Sequence, residues 1–177
     1  MDKGGNESEA GPAAAAEKGA YVRRINCGGD RVTGADGIEW EADTGNIFNT
    51  GRFKAGVRIE GAPDDMQPIY QSERWANAGL RYRFPVEPGD YEVILYLAES
   101  NKEFMEAGKR TFDVAINNEV VKAAVDVFAQ AEGANKALEL RFLTKPDPAG
   151  DIVVDLRKGV AGPALKGVEV RAVEVVE

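Results

Sequence analysis

The sequence predicts an all-β domain, a two-sheet antiparallel β-sandwich of jelly-roll type. Three observations predict it. Apolar residues recur with a two-residue period in one short segment after another. Turn-forming residues separate these segments, and no stretch carries a sustained helical period. Many short strands with such punctuation bury their apolar faces best as two sheets around one core.

Residues 1–20 stand outside this pattern. They are rich in Gly, Ala, Glu and Lys, and Met1 is their one large apolar side chain. Such a segment cannot bury enough surface to offset its ordering entropy, and the Ala13–Ala16 run is too short to persist as a helix. The expectation is a disordered N-terminal tail or linker over 1–20 and one sandwich domain over 21–177.

From Tyr21 the strands follow in order. Arg24-Ile25-Asn26-Cys27 reads as a strand that runs into Gly28-Gly29. Glycines there allow φ > 0 or a close backbone approach, and taken alone the pair reads as a tight turn. Cys27, among strand residues, is expected to be a small buried filler and a poor nucleophile. Ile69 to Arg74 leads into Trp75, ahead of Ala76-Asn77-Ala78-Gly79. A tryptophan so placed is either a core plug or an exposed platform. Leu80 to Phe84 alternates. Tyr91 to Ala98 is apolar on both faces, which fits a central strand between two layers. It opens abruptly into the polar loop Glu99-Ser100-Asn101-Lys102-Glu103-Phe104, with a helical turn expected near Glu103–Ala107. Arg110 to Ile116 points Phe112, Val114 and Ile116 inward, and Asn117-Asn118 supplies a hairpin turn. Leu138 to Phe142 and Ile152 to Leu156 share the same period, and a last strand runs from about Gly167 to Val176.

Composition narrows the chemistry. A formal net charge of −8 argues against nucleic acid and anionic membranes as partners. No apolar run approaches the roughly 20 residues needed for membrane insertion. Histidine is absent and Cys27 is the one cysteine, so Ser-His and Cys-His nucleophile pairs and an intrachain disulfide are ruled out. Carboxylates remain for a glycoside hydrolase, at Asp64, Asp65, Glu99, Glu103 and Glu106. No acid–base motif surrounds them, and they read as ordinary acids. No cofactor and no catalysis are expected. The first residues lack the apolar stretch of a secretory signal, so the expectation is a cytoplasmic protein or an excised fragment of a larger one.

Six pieces, in order and spacing, resemble the malectin family of carbohydrate-binding domains. They are Ile25-Asn26-Cys27-Gly28-Gly29, Gly37-Ile38-Glu39-Trp40, Tyr70-Gln71-Ser72-Glu73-Arg74-Trp75, and Pro88-Gly89-Asp90-Tyr91-Glu92-Val93 through Leu97-Ala98-Glu99. Arg110 through Asn117 and Lys166-Gly167-Val168-Glu169-Val170 complete the set. The resemblance implies a non-catalytic jelly-roll lectin that holds glucose-type disaccharide ends through loop aromatics and an aspartate. Carried over one position at a time, the family's aromatics fall on Phe53 and Trp75. Its adjacent aromatic pair falls on Asn101 and Lys102, with Phe104 close behind, and its aspartate falls near Ala161.

Residue chemistry points the same way. Sugar rings pack C–H faces on aromatic side chains and need amide or carboxylate partners for their hydroxyls. The expected ligand-binding set is therefore Phe53, Trp75, Asn101, Lys102, Phe104, Asn26, Gly28 and Glu99. Phe53 and Trp75 are expected in one loop-lined depression near Asn26, Gly28 and Asn101. The expected partner is a glycan or oligosaccharide. The alternative is a scaffold or protein-interaction module in a larger assembly, whose sugar site has decayed.

Overall fold

Strand formation follows the apolar alternation at Gly79–Pro85, Tyr91–Leu97, Phe112–Ile116 and Asp151–Lys158 of the computed structural model, which describes residues 21–45 and 49–174. The predicted tail, 1–20, and the end of the last predicted strand, beyond Glu174, lie outside the described residues. The strands are β1 (Val22–Asn26), β2 (Val32–Thr33), β3 (Glu39–Ala42), β4 (Thr50–Lys54), β5 (Ser72–Ala76), β6 (Gly79–Pro85) and β7 (Tyr91–Leu97). After them come β8 (Phe112–Ile116), β9 (Glu119–Val125), β10 (Leu138–Thr144), β11 (Asp151–Lys158), β12 (Ala164–Leu165) and β13 (Gly167–Ala172).

They form three sheets. A six-stranded sheet runs β10-β7-β13-β1-β3-β2, a four-stranded one β6-β11-β8-β9, and a three-stranded one β12-β5-β4. The two larger sheets make the sandwich. Val93, Leu95, Val168 and Val170 from one meet Phe84, Phe112, Val114, Ile152, Val154 and Leu156 from the other, all with 0% exposure. Each such side chain contributes about 1.5–3 kcal/mol through apolar burial. Asn117 and Asn118, at φ 49° and 67°, make the expected β8–β9 hairpin turn.

β7 is apolar on both faces because its sheet is covered twice. Its outer side chains, Ile94 and Tyr96, pack with Trp40, Ile59, Ile69 and Tyr70 in a second core. Tyr96 meets Trp40 and Tyr70 edge-on, with ring centroids 5.4 and 5.8 Å apart. The covering layer is the connection between β4 and β5, which carries the short helix α1 (Gln67–Gln71). Pro68 in its first turn starts that helix, where the missing N–H costs nothing.

Three features differ from the sequence reading. β1 and β3 pair in parallel, Arg24 opposite Trp40, within otherwise antiparallel sheets. Two short helices form, α1 and α2 (Val127–Ala131), the second capped by Asp126 accepting from the Ala129 N–H. Both are too short to show a helical period. The turn expected near Glu103–Ala107 is a 3-10 turn at Lys102–Phe104, where the Asn101 side chain accepts from the Glu103 N–H.

Candidate functional site

The small third sheet positions Phe53 and Trp75. In its antiparallel register Gly51 faces Trp75 and Phe53 faces Glu73, so all four side-chain positions share one face. On the other flank Ala164 lies opposite Trp75. Trp75 thus sits between two of the smallest residues. Its indole occupies the space above Gly51, where an added Cβ would lie 2.2 Å from the ring. Phe53 and Trp75 are 41% and 37% exposed, and stand diagonal to each other across the two strands.

On the same face, next to the aromatics, the charges are buried. Glu73 and Lys166 are 1% exposed each, and Lys166 Nζ lies 3.3 Å from Glu73 and 3.0 Å from the Ser100 hydroxyl. The residue before Ser100, Glu99, accepts from the Asn101 N–H at 3.0 Å and pairs with Arg110 at 3.6 Å. Arg110 in turn lies over the Phe104 ring, 4.1 Å from its centroid. Two carboxylates and two cations therefore tie β5, β12–β13 and the 99–104 loop together. Burial pushes the Glu99 carboxyl up to about 7, against the pull of Arg110 and the Asn101 N–H. Burial likewise lowers the Lys166 ammonium.

A cleft of about 520 Å³ is lined by Arg52, Phe53 and Lys54 of β4 and Ser72 of β5 on one wall and by Asn26, Gly28 and Gly29 on the other. Gly28 is required there twice over. It adopts φ +69°, and a Cβ would stand 2.0 Å from the Glu73 carbonyl oxygen. Asp43 holds this loop in place: its Oδ2 accepts from the Gly28 N–H at 2.9 Å, Arg74 Nε at 2.9 Å and the Tyr82 hydroxyl at 3.0 Å. Cys27, with 0% exposure, points into the sandwich core, and burial raises its thiol well above the ordinary range.

Phe53, Asn26 and Gly28 thus line the cleft. Trp75 is not in its wall and joins it through the face shared with Phe53. Asn101, Lys102, Phe104 and Glu99 lie across the buried ion cluster, on the loop after β7. Glu99 is 2% exposed and acts inside that cluster. Ala161, near which the resemblance expects an aspartate, lies two residues before Pro163, whose carbonyl accepts from the Ala76 N–H at 3.0 Å beside Trp75. Sequence reasoning passed over Arg52 and Lys54, although the run Arg-Phe-Lys on a short strand could have flagged them. Asp43 carried no local signal, because its partners are 15 to 39 residues away.

Comparison with solved structures gives the class first. The crystal structure of the plant receptor-like kinase FER superposes with a TM-score of 0.73 at 18% identity, over 86% of this chain and 49% of that one. A Bacteroides uniformis beta-glucuronidase matches with a TM-score of 0.70 at 22% identity, over 87% of this chain and 18% of that one. At these identities the likeness shows the fold: a β-sandwich carried as a module within larger chains. The family follows from sequence. The malectin domain model matches residues 21–144, and the chain belongs to the malectin domain family. Malectin of Danio rerio is 32% identical over 127 residues, which is 68% of this chain and 42% of that protein. Malectin of Homo sapiens is 29% identical over 122 residues, 67% of this chain and 41% of that protein. The kinesin-like protein KIN-14E of Oryza sativa subsp. japonica is 26% identical over 159 residues, 83% of this chain and 14% of that protein. The chain spans less than half the length of the curated relatives it matches.

Proposed function

We propose that this domain is a non-catalytic carbohydrate-binding module that holds a saccharide ring against Phe53 and Trp75. One observation carries the reading: two aromatic side chains stay more than a third exposed on one face of a small sheet, one of them packed over Gly51. Exposed aromatic faces on a rigid scaffold suit the C–H face of a sugar ring. Family membership supports the same class of ligand. Against a hydrolase stand the positions of the carboxylates. Glu99 is enclosed by Arg110 and Lys166, and Asp64 pairs with Arg58 on a separate turn.

The test is Trp75→Ala, read by glycan array and by thermal unfolding. Sugar binding should fall at least about tenfold, the loss of a stacking contact worth about 1.5 kcal/mol. Stability should fall by less than the about 3–5 kcal/mol of a fully buried tryptophan, because the ring is only partly covered. A collapse in stability would mean that Trp75 is a core residue and would remove the proposal.

A second reading, a protein-interaction module, draws on Asn101, Lys102 and Ala161, where the family has its aromatic pair and aspartate. One fold relative has been solved as FER with the peptide RALF23 and LLG2. Robust binding to any sugar class on the array excludes this reading, and silence across the array favours it.

A further inference from the structure

The cleft along β4 carries cations that the rest of the molecule does not need. Among the described residues every other arginine is in an ion pair with a carboxylate, in a chain of net charge −8. Arg52 and Lys54 are in none, are exposed, and follow each other on the same face of an edge strand. Both line the cleft, and Asp30 is the one carboxylate among the lining residues. Asp30 is engaged through its main chain, whose carbonyl accepts from Asn26 Nδ2 at 2.9 Å.

The opposite wall has the complementary deficit. Asn26 is 2% exposed, and its Oδ1 is buried with no hydrogen-bond partner. An acceptor in that state calls for a donor from a ligand, since leaving it unpaired is costly. A hydroxyl supplies such a donor. The cations opposite call for an anion, and a guanidinium grips a carboxylate through two parallel N–H bonds. Phe53, between Arg52 and Lys54 in the chain, lines the same cleft.

We infer that the saccharide taken by this site is acidic, with a sugar carboxylate held by Arg52 and Lys54 and a hydroxyl donated to Asn26. This inference rests on the saccharide-binding reading above and adds the class of sugar to it.

The experiment compares two probes by titration calorimetry: a β-linked glucose trisaccharide and its counterpart ending in glucuronate. The intact protein should bind the glucuronate probe about tenfold tighter or better, the scale of a charge-assisted hydrogen bond. That preference should shrink in high salt, as exposed charge pairs are screened. In Arg52→Gln/Lys54→Gln the two probes should bind alike, with an unchanged melting temperature, because neither side chain has a partner to lose. Lys54→Gln alone provides a milder variant, expected to retain part of the preference. Equal affinity of the intact protein for both probes overturns the inference and leaves the saccharide-binding reading standing, as does a preference that survives the double variant. No binding to either probe, together with a silent glycan array, overturns both.

Discussion

Asp43 shows how much one side chain can organise when it is buried. Its side chain is 1% exposed and gathers a backbone N–H, a guanidinium and a phenol on one oxygen. Those donors belong to the Gly28 turn, β5 and β6, so the loop, the small sheet and the sandwich meet at a single carboxylate. Removing it leaves Arg74, 6% exposed, as a buried cation without its partner. Asp43→Ala is therefore expected to cost about 3–5 kcal/mol in urea unfolding, in line with one-sided loss of a buried ion pair. Arg74→Met removes the orphaned charge along with its demand for a partner, so combining the two should cost less than the sum of the single changes.

The loop after β7 is the element where protonation is built into the framework. Glu99 faces Arg110, Glu73, Lys166 and the Asn101 N–H, and its carboxyl titrates at about 7 because burial outweighs its cationic neighbours. An acid whose folded pKa lies above its unfolded one binds more protons in the native state between the two values. Stability then falls as pH rises from about 4.5 to about 7. The expected size of this fall is about 1–3 kcal/mol. Unfolding free energies measured across that range should show it, and Glu99→Gln should flatten the curve whatever its effect on absolute stability. Elements were also where the sequence was most legible. The hairpin at Asn117-Asn118, the inward set Phe112, Val114 and Ile116, and the two-faced strand β7 followed directly from side-chain period and turn chemistry. The short helices did not, since one turn of helix leaves no period to read. Phe53, Asn26 and Gly28 could be singled out from motif and residue type. Their division between a cleft and an aromatic face depends on the register of β4 against β5, which no local pattern encodes. The tail expectation falls on residues outside those described.

At the scale of the whole molecule, the six-stranded sheet separates two cores. Ile152 fills the sandwich and Ile69 fills the layer under α1, each with 0% exposure. Ile152→Val and Ile69→Val should each cost about 0.5–1.5 kcal/mol. Because a sheet stands between them, the double variant should match the sum within about 0.5 kcal/mol. Marked non-additivity in chemical denaturation would mean that the two cores share a strained sheet.

The order of that sheet has a consequence for biosynthesis. β13 is the last strand among the described residues, yet it lies in the middle, hydrogen-bonded to β7 on one side and β1 on the other. Until it emerges from the ribosome, β10-β7 and β1-β3-β2 are two half-sheets with nothing to join them, each presenting an open edge. The β1–β13 register brings Val22 opposite Arg171, a closure that spans nearly the whole domain. Folding of this kind waits for its most distant contact and is slow for that reason. The nascent chain must therefore keep two sticky edges apart until synthesis of the domain is almost complete, and a stop codon just before Gly167 would strand it in that state.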